Sequence, residues 1–146
     1  MKNKYQAMVL SCIDPRFQSL VYKFLKTKNL IGKYSAFTIA GASIGVTHIN
    51  FKIWHKTFYD NLATSISLHK IKRLIIIDHH DCGAAKIASK KKKLNQHDET
   101  NIHIKSFIKL YKVMNKKFPK LKTEFYLISL NGEVKKYNNI FNLKIQ

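Results

Sequence analysis

The chain has 146 residues, of which 45% are hydrophobic, and a formal net charge of +19. This length suits a single domain spanning residues 1–146, and no segment has the about 20 consecutive apolar residues that a membrane-spanning helix needs. Only Arg16 and Arg73 among the 27 basic residues are arginines, the residue type that contacts bases and phosphates through paired hydrogen bonds, so we expect no nucleic-acid partner.

The order of apolar patterns along the chain predicts alternating strands and helices. The predicted elements are a strand at residues 7–10, a helix from residue 17, a strand at 36–40, a helix ending near 69, a strand at 74–77, a helix over 104–118 and a strand at 125–128. The run at 74–77 is apolar throughout, as expected of a strand covered on both faces. We therefore predict an α/β fold, with a mostly parallel sheet of about four to five strands flanked by helices.

Several polar features belong to connections rather than to this framework. The lysine run at residues 90–93 is interpreted as a solvated loop. Five histidines lack a partner at a useful spacing and are expected to be structural or exposed: His48, His55, His69, His97 and His103. The short apolar run near the start has no cleavage site of the signal-peptide type, so we expect a cytoplasmic protein with reduced thiols and no membrane partner.

The two cysteines each follow a predicted strand. Cys12 follows the first strand, and Cys82 lies in the sequence DHHDCG after the strand at 74–77. If these two strands are neighbours, with the second strand on the other side of the first, their carboxyl ends bring both thiols together. Two thiolates and one imidazole form a three-ligand zinc set with a fourth place open, and the spacing to Cys82 favours His79 over His80. The alternative is that both cysteines are small buried hydrophobic residues.

Two charged residues accompany Cys12 in the stretch SCIDPR. Asp14 precedes Pro15 at the start of a helical pattern, which is the arrangement of a helix N-cap. A capping role does not exclude a second role for Asp14 beside Arg16. Asp81 is likewise interpreted as an N-cap, in this case of a helix that begins after Cys82.

The two motifs together resemble those of a known enzyme family. Residues 12–16 match the C-x-D-x-R motif of β-class carbonic anhydrases, residues 79–83 match their H-x-x-C-G motif, and the flanking pattern agrees from about Met8 to Gly132. The resemblance implies Zn²⁺ held by Cys12, His79 and Cys82. It also implies a catalytic dyad of Asp14 and Arg16, and reversible hydration of carbon dioxide to bicarbonate by a zinc-bound hydroxide. A homodimer or a higher homo-oligomer is compatible with it.

Two alternatives remain open. Thr38 and Ile39 stand where the family generally has an Arg-Asn pair, which leaves a non-catalytic or differently specific zinc or anion-binding domain of the same fold as the second interpretation. The sequence from Asp78 to His80 also looks like the DHH motif of manganese phosphoesterases. That motif requires an upstream D-x-D arrangement, which this chain lacks.

Overall fold

The computed structural model describes residues 4–137. Its strands are β1 (Ala7–Ser11), β2 (Tyr34–Thr38), β3 (Arg73–His79), β4 (Lys122–Ile128) and β5 (Val134–Lys136). Its α-helices are α1 (Gln18–Thr27), α2 (Ser43–Thr47), α3 (Lys52–His69), α4 (Gly83–Ser89) and α5 (Gln96–Lys117), with short 3-10 turns at Pro15–Phe17 and Ile49–Phe51. None of the helices in this described part combines the length and the hydropathy needed to cross a bilayer.

The five strands form one sheet in the order β2-β1-β3-β4-β5. The first four strands are parallel, and β5 adds to β4 in the antiparallel direction. This arrangement confirms the predicted α/β class and the predicted placement of the second strand beyond the first. The sheet reverses its winding direction at β1 and β3, and ligands of open α/β sheets gather beyond strand ends at such a point.

Both faces of the sheet are covered, and alternate residues of each central strand enter different cores. On one face, Leu10 and Ile76 pack in a cluster with Phe107 of α5. On the other face, Ile77 packs in a second cluster with Leu25 of α1. Every residue of β3 after Arg73 is buried, which agrees with the prediction for a strand covered on both sides.

The observed boundaries differ from the predicted ones at several elements, and β3 and β4 are longer than the predicted strands at 74–77 and 125–128. Strand β2 begins and ends two residues earlier than predicted, because its register with β1 pairs Ser11 with Thr38 before the chain turns at Gly41. Helix α5 begins at Gln96, well before the apolar pattern starts, because the Asn95 side chain accepts a hydrogen bond from the Asp98 amide and caps the first turn. The lysines of residues 90–93 are exposed in the connection before this helix, as predicted.

Candidate metal centre

Three side chains converge beyond the carboxyl ends of β1 and β3. Cys12 follows β1, His79 is the last residue of β3, and Cys82 lies three residues further on. One potential ligand atom from each residue lies within 4.8 Å of the other two, and all three residues are buried. Within residues 4–137 this is the one group of three or more His, Cys, Asp or Glu residues that converges in this way. His80 is not a member of the group.

The His79 ring is oriented so that one nitrogen is free to bind an ion. Its Nδ1 lies 2.7 Å from the His80 carbonyl oxygen, which can only accept, so Nδ1 is the donor and Nε2 carries the lone pair. Nε2 is buried and has no hydrogen-bond partner. Phe17 stacks on the ring at a centroid distance of 4.0 Å and fixes its plane. A buried ring nitrogen without a hydrogen-bond partner costs folding free energy unless something else, such as an ion, binds to it.

Contacts within the cluster shift the pKa values of the two cysteines in opposite directions. A hydrogen bond from the Cys82 thiol, opposed by burial and aided by His79 and by backbone amides, holds the pKa of Cys12 well below its ordinary value. The same contact and burial raise the pKa of Cys82. Burial alone would lower the pKa of His79, but the adjacent Cys12 sulfur and the His80 carbonyl raise it. Of the two cysteines, Cys12 is therefore the one that loses its proton more readily.

These donors fit zinc. Two thiol groups and an imidazole nitrogen are the ligand types of three-ligand zinc sites that keep an open fourth position. The Nδ1 hydrogen bond to a backbone carbonyl is the usual outer contact of a metal-binding histidine. A zinc ion would satisfy the orphaned Nε2 and would bind the two sulfurs as thiolates.

Gly41 brings the chain after β2 against Cys12. Its backbone amide donates a hydrogen bond to Cys12 Sγ at 3.3 Å. Its φ of +78° is in the left-handed region, and a Cβ added there would lie 2.6 Å from the Ala84 Cβ. Only glycine satisfies both conditions, so the turn after β2 can approach the cluster this closely.

Asp14 and Arg16 form the pair that the sequence predicted. Arg16 Nη2 lies 2.8 Å from Asp14 Oδ2, and Arg16 Nε lies 3.1 Å from Oδ1. The hydrogen bonds from Arg16 lower the pKa of Asp14 to about 2. Asp14 Oδ1 also accepts the Arg16 backbone amide at 2.9 Å and so caps the 3-10 turn. Asp14 Oδ2 lies 3.9 Å from His79 Nε2, which places the carboxylate beside the cluster.

The interpretation of Asp81 as a helix cap is wrong. Cys82 occupies the cap position of α4 and makes no capping bond with its side chain. The Asp81 carboxylate points instead to Arg16 Nη1 at 2.9 Å and to Lys86 Nζ at 3.0 Å. Arg16 also donates to the Asp81 carbonyl at 3.0 Å, so its guanidinium joins the loops that follow β1 and β3.

Two supporting residues were not anticipated from the sequence. The Gln18 side-chain amide donates to the carbonyls of Cys12 and Asp14, at 2.9 and 2.8 Å. The Glu99 carboxylate, on α5, accepts the backbone amides of Asp81 and Cys82. Both side chains bind backbone groups of other residues. Such contacts leave no recognisable pattern in the sequence.

A third unanticipated group lies on the opposite face of β3 from His79. Asp78 is buried, and its Oδ2 lies 2.7 Å from His103 Nδ1 and 2.5 Å from the Ser43 hydroxyl. Its Oδ1 accepts the Ser43 amide at 3.0 Å. His103, expected to be structural or exposed, is structural and fully buried. With Asp78 engaged in this way, the manganese phosphoesterase interpretation has no support from the structure.

The two residues that depart from the family pattern lie beside Ser11, the residue before Cys12. Thr38 ends β2 and is exposed, and Ile39 is half-buried. The Ile39 amide donates to the Ser11 carbonyl at 3.0 Å, so the backbone continues the sheet up to the turn at Gly41. Neither side chain supplies the charge that an arginine would place there.

Comparison with known proteins agrees with this geometry. An uncharacterized protein of Rickettsia conorii is 30% identical over 139 residues, which cover 94% of this chain and 75% of that protein. The β-carbonic anhydrase CafA of Aspergillus fumigatus has a TM-score of 0.64 at 11% identity, over 93% of this chain and 76% of that one.

Tetrameric β-carbonic anhydrases of Sordaria macrospora give a TM-score of 0.59 at 12% identity, over 93% of this chain and 82% of theirs. At these identities the structural likeness concerns the fold. The family described as "Putative carbonic anhydrase" matches residues 1–126. With the match covering most of its length, the chain belongs to this carbonic anhydrase family and has the β-carbonic anhydrase fold.

Proposed function

We propose that this protein is a zinc-dependent carbonic anhydrase that catalyses the reversible hydration of carbon dioxide to bicarbonate. In this proposal Cys12, His79 and Cys82 bind Zn²⁺, and Asp14 and Arg16 are the catalytic dyad. The observation that carries the proposal is the convergence of two sulfurs and an orphaned imidazole nitrogen within 4.8 Å, with the Asp14 carboxylate beside them.

The metal supplies the nucleophile and the chain directs it. Held by Cys12, His79 and Cys82, zinc would lower the pKa of a bound water molecule to about 7 and so make hydroxide available near neutral pH. Asp14 Oδ2, beside the ligand cluster, would accept a hydrogen bond from the attacking oxygen and so orient it toward the carbon of carbon dioxide. With its pKa held at about 2, Asp14 stays ionised and available as an acceptor across the neutral range.

Arg16 restrains Asp14 in this scheme. Two hydrogen bonds from the guanidinium occupy both Asp14 oxygens, at 3.1 and 2.8 Å, which opposes rotation of the carboxylate onto the metal. Two further N–H groups of Arg16 donate to the carboxylate and the carbonyl of Asp81, so the guanidinium is held from two sides. A carboxylate that bound the metal directly would close the fourth position to water.

The second candidate function is a zinc domain of the same fold that binds a small anion without hydrating carbon dioxide. Thr38 and Ile39 favour this candidate because they leave this part of the chain without the polar pair that the family generally has there. Both candidates share the metal ligands and differ in turnover.

The proposal extends to compartment and assembly. Two unpaired cysteines with adjacent sulfurs remain ligands only while they stay reduced, which fits the cytoplasm. Assembly into a homodimer or a larger homo-oligomer is proposed by analogy with the tetrameric relatives. The proposed substrate is a small molecule, carbon dioxide or bicarbonate.

Metal analysis and a rate assay test the two parts of the proposal. We expect about one zinc per chain in the purified protein and loss of most of it in Cys82→Ser. A stopped-flow indicator assay is expected to show faster carbon dioxide hydration as pH rises from neutral. Full zinc content in Cys82→Ser would contradict the ligand assignment, and a zinc-loaded wild type at the uncatalysed rate would favour the second candidate.

A substitution at Asp14 separates its catalytic role from its capping role. Asn caps helices about as well as Asp, so Asp14→Asn should retain its fold and its zinc while hydrating carbon dioxide at least about tenfold more slowly, which is about 1.4 kcal/mol. The matched control is Asp60→Asn, which removes the charge of an exposed aspartate paired with Lys56 on α3. Wild-type rates in Asp14→Asn would remove the dyad from the mechanism.

A further inference from the structure

Glu99 lies in the first turn of α5 with its carboxylate turned into the protein. The residue is 4% exposed. Its Oε1 accepts the Asp81 amide at 2.7 Å, and its Oε2 accepts the Cys82 amide at 2.9 Å. The carboxylate therefore holds two consecutive peptide groups of the segment 80–82, which we call the metal loop.

We infer that Glu99 is a positioning residue that holds the metal loop in the shape that aims the Cys82 sulfur at the metal. The inference rests on the proposed function, because it takes Cys82 to be a ligand. Glu99 itself contacts neither the sulfurs nor the imidazole of the cluster and acts through the backbone.

The metal loop needs an external hold because its backbone is unusual. Asp81 has a φ of +57°, in the left-handed region that residues other than glycine seldom adopt. The amides of Asp81 and Cys82 lie at the start of α4, where the helix offers them no acceptor, and Cys82 provides no capping side chain. The two oxygens of Glu99 satisfy both amides and so stabilise the left-handed turn.

The same contact extends to the dyad. The Asp81 carbonyl and carboxylate both accept hydrogen bonds from Arg16, at 3.0 and 2.9 Å, and Arg16 holds Asp14. Movement of the Asp81 peptide would therefore shift the partner of Arg16 as well as the Cys82 sulfur. One buried carboxylate on α5 thus fixes the relative positions of a ligand and of the pair beside it.

Glu99 also offers two acceptor oxygens side by side, which a simple cap would not require. His80 Nδ1 lies 3.6 Å from Glu99 Oε1, and it has no hydrogen-bond partner. A neutral Asn or Ser side chain can cap a helix, but the two oxygens of a carboxylate accept two neighbouring amides at once.

The test replaces Glu99 by Gln and measures zinc affinity in competition with a chromophoric chelator. The Gln side chain has an NH2 group in place of one carboxylate oxygen. It would therefore face one of the two loop amides with a donor instead of an acceptor. We expect zinc to bind 10- to 100-fold more weakly, as for other groups that orient metal ligands. In the cobalt-loaded protein, the thiolate-to-cobalt absorption bands should shift because the Cys82 sulfur is no longer held in place.

Glu124→Gln is the matched control. Glu124 is equally buried and accepts two hydrogen bonds from Arg73, but it lies on β4 four residues before Ile128, the partner of His79. A purely structural role for Glu99 predicts that both variants lose thermal stability and keep zinc affinity. Glu99→Asp keeps the carboxylate but is one methylene shorter, so it should show an intermediate loss of zinc affinity. This variant replaces Glu99→Gln in the test if Glu99→Gln does not fold.

The outcomes separate this inference from the proposed function. Zinc affinity within about twofold of wild type in Glu99→Gln would overturn the inference and leave the carbonic anhydrase proposal standing. Wild-type protein that binds zinc without hydrating carbon dioxide would overturn only the catalytic proposal, because the affinity comparison does not depend on turnover. Wild-type protein without zinc affinity would overturn both.

Discussion

Replacement of Gly41 by Ala should destabilise the protein through two separate effects. The φ of +78° costs an alanine about 1–2 kcal/mol, because its Cβ crowds the following carbonyl oxygen. The new Cβ would also lie 2.6 Å from the Ala84 Cβ, and such overpacking in a buried region costs about 1–3 kcal/mol. The sum is about 2–5 kcal/mol, or roughly 5–15 °C in Tm for a chain of this size.

Two further variants isolate these effects in urea and thermal unfolding. Gly32→Ala has nearly the same φ, +77°, but no atom lies within 4 Å of the added Cβ, so it should show only the conformational cost. The double variant Gly41→Ala/Ala84→Gly removes the close contact and should be more stable than the sum of its single changes by at least about 1 kcal/mol. A Gly41→Ala protein no less stable than Gly32→Ala would refute the reasoning.

Two other predictions concern buried carboxylates. Asp78→Ala should lower the free energy of unfolding by about 3–5 kcal/mol in urea titrations, because it leaves the His103 ring nitrogen and the amide and hydroxyl of Ser43 buried without an acceptor; a loss below about 1 kcal/mol would contradict this. Burial raises the pKa of Glu124, but hydrogen bonds from Arg73 and Tyr126 outweigh it and the net pKa is lowered. Its contribution to stability is thus complete above its ordinary pKa and is lost as pH falls below about 5, so Glu124→Gln should flatten the acid side of a plot of stability against pH.

The candidate site was predictable where its residues follow strands. Cys12 directly follows β1 and His79 ends β3, and the carboxyl ends of such neighbouring parallel strands meet at one edge of the sheet. Local spacing then selected His79 over His80. The arrangement of Asp14 before Pro15 at a helical pattern likewise predicted a cap, and the structure has both the cap and the pair with Arg16.

Other parts of the site depend on contacts that the chain makes over a distance. Glu99 reaches the Cys82 amide from 17 residues away, and Ser43 reaches Asp78 from 35 residues away. Neither contact has a periodic pattern that a sequence reader could use. The beginning of α5 did have a local signal, Asn95 followed by acidic residues in the first turn, but the apolar pattern begins later and placed the boundary too far along the chain.

The ligand cluster lies at the ends of two inner strands of the sheet, whereas Thr38 and Ile39 lie at its edge. This difference affects which residues can change as such a protein diverges. Cys12 directly follows β1 and His79 ends β3, and both residues are buried where these two strands meet at the reversal point. Thr38 is exposed at the end of β2, an edge strand of the sheet formed by the described residues, so new side chains can be accepted there at little cost to folding. Substitutions at this position can therefore accumulate at a lower cost in stability than substitutions at the buried ligand positions.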